Sequence, residues 1–430
     1  MANPIPQQGE GFNLADQTNL FKINYYKKSE NMYNSANVLH GRIKKRYDFT
    51  GKQRFVATPL SFAGGVGAGV LPKTNSGQYE GAIITSKRVY ATAEIERESI
   101  KASANDAGAF VRATAETVKK TVESYMRNCS RILFGNGNGV LAAGDASGAN
   151  VSGDGSTGTP YVVEIPAGEF KEANWEERDF VQMVTGFVAP DTGVAEGGDA
   201  ETNLLEIVAV DVASRLVSLV GTSPRLAALT GVGPLAATDA IAMQRSFCRE
   251  PQGLKGISDA SEAGSGQLYG INVQRRWSME VVDAASAGIT TDLMNGVMLD
   301  VEKKFGKAPN MIMTSYAQYR NILALLEDHK RYQLPNRNIK GNMSFTGVEF
   351  MSTSGPIGIF VDRFCEDDRV YFLNDNFIEC HHRPDFGWFD DDGTVFLRKS
   401  GSDAYEARYG GYYENYITPT AHGVLKGLAV

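Results

Sequence analysis

The stretch Asn105–Phe134 limits what this chain can fold into more than any other. It reads NDAGAFVRATAETVKKTVESYMRNCSRILF, and its apolar residues recur at Ala107, Phe110/Val111, Ala115, Val118, Val122, Tyr125/Met126, Cys129 and Ile132/Leu133. Steps of three and four are the helical period. The opposite face carries Arg112, Glu116, Lys119, Lys120, Glu123 and Arg127, with Glu116–Lys120 and Glu123–Arg127 spaced for i,i+4 pairing. Asn105 can cap the start, and Gly135 follows as a stop. At 1.5 Å per residue the segment gives a rod of roughly 45 Å. Its length is unusual for an enzyme helix, and strand-rich halves flank it.

Composition narrows the function classes. A chain of 430 residues can bury two or three cores. Its 42% hydrophobic and 22% charged residues are those of a soluble globular protein. A net charge of −7 argues against a nucleic-acid binder, whose affinity comes from Lys and Arg neutralising phosphates. Cys129, Cys248, Cys365 and Cys380 form no CxxC pair and suit a reducing compartment. No run of 18 apolar residues would span a membrane, and the N-terminal residues lack a signal-peptide pattern.

Along the chain, residues 1–41 read as a polar arm that must pack on something else. Residues 42–98 hold two β segments, RIKKRYDFTGKQRFVA and SKRVYATAEIERE, around the Gly-rich FAGGVGAGVLPKTNSGQYEGA. A two-stranded ribbon of this kind is barely stable alone, so it should lie on another surface or another subunit. After the helix and a Gly/Ser/Asn/Asp linker, residues 151–221 read as an inserted β module, with strands at Asp179–Val188, Leu204–Val210 and Leu216–Val220. Helices are expected at Thr290–Phe305, capped by Thr290 or Thr291, and after a Ser315 cap; a buried strand fills Asn310–Thr314. Residues 345–420 turn β-rich, with strands near Val348–Met351, Ile357–Val361, Arg369–Leu373, Ile378–His382 and Val395–Lys399.

Chemistry-bearing motifs do not assemble. Gly64–Gly69 has glycine-loop spacing, but no helix follows it. There is no GxxxxGK[ST], GxSxG or HExxH. His381 and His382 are adjacent and point to opposite faces of a strand, which makes a poor chelate even with Cys380 and Asp385 nearby. Asp390–Gly393 lacks the alternating spacing of a calcium loop and reads as a turn. No nucleophile, base and orienting group come together, so the residues imply a non-enzymatic, multi-domain α+β protein with parts that neighbouring copies would bury. No cofactor is implied.

In the order of its parts the chain resembles the tailed-bacteriophage major capsid proteins of the Hong Kong 97 type. The excursion at Arg42–Ile95 resembles the family's E-loop and Asn105–Phe134 its spine helix. GLKGI at Gly253–Ile257 with Tyr269–Asp283 resembles the entry to the axial domain, and KAPNMIMTSYAQYRNI at Lys307–Ile322 its strand–Ser–helix segment. RVYFLNDNFIECHH, GWFDDDGTVFLR and SDAYEARYGGYYENYITPTAHGVLKG resemble the peripheral sheet and C-terminal strand. The resemblance implies an α+β Hong Kong 97-like capsid fold. Its layout would be arm 1–41, E-loop 42–98, peripheral domain with spine helix 99–150, inserted β module 151–221, axial domain 222–344, and peripheral sheet with C-terminal strand 345–430.

It also implies a shell subunit that forms hexamers and pentamers of itself around packaged double-stranded DNA, contacted weakly. A portal, a separate scaffolding protein and decoration proteins would be partners, and no membrane is involved. Some members crosslink an E-loop lysine to a peripheral asparagine; Lys73 and Asn374 or Asn376 would be the counterparts, although no local motif matches. An encapsulin-type nanocompartment shell shares the fold and is the rival reading; an enzyme is the remote one.

Within the E-loop, Gly64, Gly65, Gly67, Gly69 and Lys73 are the expected intersubunit tip. Arg42, Lys44 and Arg46 alternate, as do Glu94, Glu96 and Glu98. One antiparallel register would set Arg46 against Glu94, Lys44 against Glu96 and Arg42 against Glu98, with the turn near Gly69–Leu71.

Overall fold

The computed structural model describes residues 38–61, 78–97, 107–166, 168–188, 192–198, 203–327, 349–352, 355–390, 395–399 and 401–429. The protein is α+β, and its chain divides into two units. Of the described residues, the first holds those within 1–58, 81–130 and 378–416, and the second those within 59–80, 131–377 and 417–430.

The first unit is built on the strand Ala404–Ile417. It pairs antiparallel with Lys87–Glu96, Gly387–Trp388 and Leu397–Arg398, and it lies next to Ile378–His382, which in turn pairs parallel with Lys44–Arg46. Period two places Ala407, Tyr409 and Tyr413 on one buried face. The helix Ala107–Phe134 packs its stripe onto that face: Val118, Val122, Tyr125 and Cys129 are buried. The Tyr125 ring meets Tyr409 edge-on at 5.2 Å, and the Tyr413 hydroxyl donates to Cys129 Sγ at 3.4 Å. An edge-to-face pair of this kind contributes about 0.5–1.5 kcal/mol beyond its buried area. Gly410 lets the long strand cross its neighbour closely. Its φ is +148°, and a Cβ there would sit 2.2 Å from the Val89 carbonyl oxygen.

The second unit holds two sheets. In the first, seven strands run in the order Val140–Ala143, Asp239–Met243, Phe180–Val188, Leu205–Asp211, Leu216–Gly221 and Tyr161–Glu164, with Thr192–Ala195 also on Phe180–Val188. Leu216–Gly221 and Leu205–Asp211 form the expected hairpin, and Asp211 Oδ1 accepts the amide of Ala213 across its turn. In the second sheet, six strands run in the order Glu280–Asp283, Gly423–Lys426, Val370–Leu373, Met311–Thr314, Gly355–Val361 and Glu349–Ser352. Helix Thr291–Phe305 is capped by Thr290, whose hydroxyl accepts the Leu293 amide, and it buries Val297, Met298 and Val301 against this sheet. Ser315 caps Tyr316–Glu327 by accepting the Gln318 amide.

Several elements differ from the sequence reading. RIKKRYDFTGKQRFVA is not one strand: it splits into a helical turn Val38–Arg42, a strand Lys44–Arg46 and a strand Gln53–Ser61, with Gly51 at φ +82° in between. Arg127, placed by periodicity on the solvated face, is buried. The chain from 345 onward does not form one sheet. Residues 349–373 and 423–426 join the strands at 280–314 in the second unit, while 378–416 build the first.

The sheet that holds the strands of 151–221 is wider than that range. Val140–Ala143 and Asp239–Met243 are its strands too, and Leu141, Leu226, Leu235 and Ile241 belong to its core. Neighbouring apolar positions in short segments carried too little period to reveal them.

Two outcomes follow for stability. Val118→Asp buries an unpaired charge and should cost about 3–5 kcal/mol in urea unfolding. Lys119→Ala, on the exposed face, should stay within about 0.5 kcal/mol of the parent. Equal melting of both variants would disprove the packed face. Replacing 153–221 by a linker strands the two apolar strands at 140–143 and 239–243, and should give insoluble protein. Replacing 140–243, whose end strands pair with each other, should give soluble protein; Glu366→Gln accompanies that excision because Lys171, the Glu366 ion partner, is removed. A soluble 153–221 deletion with an insoluble 140–243 deletion would reverse the assignment.

Candidate assembly site

The strands Gln53–Ser61 and Gln78–Thr85 form a two-stranded sheet that takes no third strand among the described residues. Phe55 and Tyr79 on it are 67% and 64% exposed, among the largest exposures of any aromatic side chain in the described residues. Such a ribbon is marginal in water, so its apolar side chains call for a cover. The tip residues Gly64, Gly65, Gly67, Gly69 and Lys73 lie outside the described residues.

The charges expected to staple the ribbon's base to itself do something else. Lys44 and Arg46 pair in parallel with Glu379 and His381, and Arg46 forms a bidentate ion pair with Glu379 at 2.7 and 2.8 Å. Glu96 and Glu94 stand opposite Ala404 and Glu406, and Glu94 pairs with Lys399 at 2.7 Å. Arg42 ends a helical turn, and Glu98 lies outside the described residues. The register of Arg46 with Glu94, Lys44 with Glu96 and Arg42 with Glu98 is therefore corrected. Exposed cross-strand pairs contribute only about 0.2–1 kcal/mol, too little to override the ladder each segment makes with the central sheet.

The residues that set the ribbon's root are instead Asp48, Arg54, Glu379 and His381. Arg54 donates to Asp48 Oδ1 at 2.8 Å and to His381 Nδ1 at 3.4 Å. In the sequence, Arg46 and Glu379 are opposite charges separated by 333 residues, and nothing local links them.

The groups that resemble reactive sites are inert. Cys380 Sγ lies 3.2 Å from His382 Nε2, the spacing of an activated thiol. Burial, with Lys45 and His381 adding to it, pushes His382 down to about 3, and burial pushes the Cys380 thiol up. The pair is a neutral thiol beside a neutral imidazole and not a thiolate–imidazolium nucleophile. Among the described residues no three His, Cys, Asp or Glu side chains cluster to hold a metal ion.

In the second unit a cavity of about 310 Å³ is lined by Arg131, Lys171, Lys255, Arg369, Glu250 and Asp259 together with backbone near Gly135–Leu141. Three of its cations are paired. Arg131 holds the buried Glu250, Lys171 meets Glu366 at 2.7 Å and Arg369 meets Asp259 at 2.7 Å. Burial works against the Glu366 carboxylate. Lys171, Lys255 and Arg369 overcome it and bring its pKa down to about 2, and the Tyr371 hydroxyl donates to it at 3.0 Å. This is a structural network with no nucleophile. Asn374, a candidate crosslink acceptor, is buried with its amide donating to the Ala308 carbonyl; Asn376 is exposed.

Acid should destabilise the fold through its histidines. Burial holds His422 near a pKa of about 3, with Nδ1 accepting the Asn374 amide, and His382 sits at about 3 as well. In the unfolded chain both titrate near 6.5. Between those values the unfolded state binds more protons, so stability is full above about pH 6.5 and falls progressively as pH drops toward 3. His422→Asn keeps an acceptor and does not titrate. Its urea midpoint should fall less steeply from pH 7 to 4 than the parent's, and a parallel decline would refute the assignment.

Residues 238–429 match the family model described as SU10 major capsid protein. No curated protein matches the chain. Solved structures with a similar outline include the cyanophage A-1(L) capsid asymmetric unit, 10% identical, covering all of this chain and 98% of that one with a TM-score of 0.48. The satellite phage P4 procapsid including the size determination (Sid) protein is 8% identical over 96% and 98% with a TM-score of 0.41. The holo-SrpI encapsulin complex from Synechococcus elongatus is 7% identical over 90% and 85% with a TM-score of 0.39. The matched segment takes in the whole six-stranded sheet and the strand Ala404–Ile417, on which each unit is built, and by that match the chain is similar to a tailed-phage major capsid protein, a structural subunit of a virion shell and not an enzyme.

Proposed function

We propose that the chain assembles with copies of itself into the hexamers and pentamers of an icosahedral shell that encloses double-stranded DNA, with its ribbon laid over a neighbouring copy. One observation carries the assembly step: a ribbon with two strands and two exposed aromatic side chains, Phe55 and Tyr79, has nothing in its own sheet to cover it. A neighbouring copy offers the same surface at every position of a closed shell. The net charge of −7 suits a wall that does not hold packaged DNA tightly. A portal, a separate scaffolding protein and decoration proteins would complete the particle, assembled in the host cytoplasm. An encapsulin-type compartment is the weaker reading, since the family match is to a phage capsid.

Negative-stain electron microscopy of the expressed protein tests this. Shells, capsomers or tubes are expected, and a clean monomer at all concentrations would overturn it. Deleting Gly64–Gly77 should leave a folded subunit, with unchanged melting within a few degrees, that no longer closes shells. Normal shells from the deletion would show that the excursion is dispensable.

A further inference from the structure

We propose that His381 is a proton-operated latch on the root of the ribbon: neutral, it accepts Arg54 and ties the start of Gln53–Ser61 to the strand Ile378–His382; protonated, it releases Arg54. The proposal takes its biological meaning from the shell-subunit reading, because it concerns the ribbon that reading lays on a neighbour.

The chemistry follows from what each group can do. A guanidinium only donates, so Arg54 Nη1, 3.4 Å from His381 Nδ1, requires that nitrogen to be an acceptor. The imidazole is then neutral with its proton on Nε2, which lies 3.4 Å from Glu379 Oε2. A second proton can go only to Nδ1. There it would point an N–H at the N–H of Arg54 and set two cations in contact within a side chain that is only 2% exposed. Arg54 has an alternative, since it already donates to Asp48 at 2.8 Å in the segment just before its own strand. Protonation therefore moves Arg54 wholly onto Asp48 and removes its hold on the strand Ile378–His382.

The surroundings set the direction. His381 faces Arg54 from the ribbon, Asp48 and Arg46 from the segment before it, Glu379 from its own strand, and the ring of Tyr416 at 6.1 Å from the long strand. Burial acts most strongly and lowers its pKa, Arg54 and Arg46 lower it further, and Glu379 and Asp48 oppose them. Glu379 is already engaged by both guanidinium nitrogens of Arg46, so it is a weak counter-ion for a new imidazolium. The latch is closed at neutral pH and opens on acidification below the usual imidazole range.

Hydrogen exchange on the dispersed full-length subunit tests the latch. After correction for intrinsic rates, protection at Gln53–Thr58 should be lost progressively between pH 7.5 and 5 in the parent protein. It should fall clearly less in His381→Asn, which offers an acceptor that does not titrate. Equal loss in both, or no loss in the parent, would overturn the proposal. Should His381→Asn not fold, nitrogen NMR of the parent decides. The Arg54 side-chain resonance should move with the His381 midpoint, below pH 6.5; an Arg54 that ignores that midpoint overturns the latch. Because the subunit is dispersed, a protein that forms no shells while its ribbon loosens in acid would refute the functional reading and leave the latch standing.

Discussion

The strand Ala404–Ile417 is the element on which the first unit depends. It is the shared partner of four other strands, and its buried face of Ala407, Tyr409 and Tyr413 is what the long helix packs against. Its two faces carry different duties. One receives Tyr125 and Cys129 of the helix. On the other, Tyr412 lies under the guanidiniums of Arg88 and Arg383 at 5.7 and 5.0 Å. Alternation along the middle of the strand thus sets the buried Tyr409 and Tyr413 against the partly exposed Arg408 and Tyr412. Because the strand organises the pairing of Lys87–Glu96 and of the short segments after Gly387, removing it would leave those segments without a ladder.

How much of this was legible in the sequence depends on how local each interaction is. The long helix, the Thr290 and Ser315 caps and the hairpin around Asp211–Arg215 were readable because their signals lie within a few turns or residues of one another. The strand Phe180–Val188 was readable as a continuous β-rich run. Helix Leu254–Ala263 escaped because GLKGISDA carries glycines at 253 and 256, and both are there for packing. A Cβ on Gly253 would stand 2.4 Å from the carbonyl oxygens of Gly135 and Ile132. Strands Val140–Ala143 and Asp239–Met243 become a pair only when residues about 100 apart in the chain meet.

The site was the least legible part, for the same reason. Alternating basic and acidic residues on two nearby segments suggest a hairpin, and that inference uses only charge and proximity in sequence. The fold instead pairs Lys44–Arg46 in parallel with Ile378–His382, a connection that no local rule predicts, and the bidentate Arg46–Glu379 pair follows from it. Charge along a strand chooses among partners that backbone topology has already brought close; it does not choose the topology.

The second unit solves a different problem by different means. Its pairs of Arg131 with Glu250 and of half-buried Lys171 with buried Glu366 add little net stability, because desolvation offsets much of their attraction. Their effect lies in what they exclude. An arrangement that shifts the last turn of the long helix away from Glu250, or the segment at Lys171 away from Glu366, leaves a buried charge without its partner, at about 3–5 kcal/mol. Apolar contacts tolerate a slip of one residue far better. A charged interior that penalises misplacement gives each copy of the chain the same internal geometry.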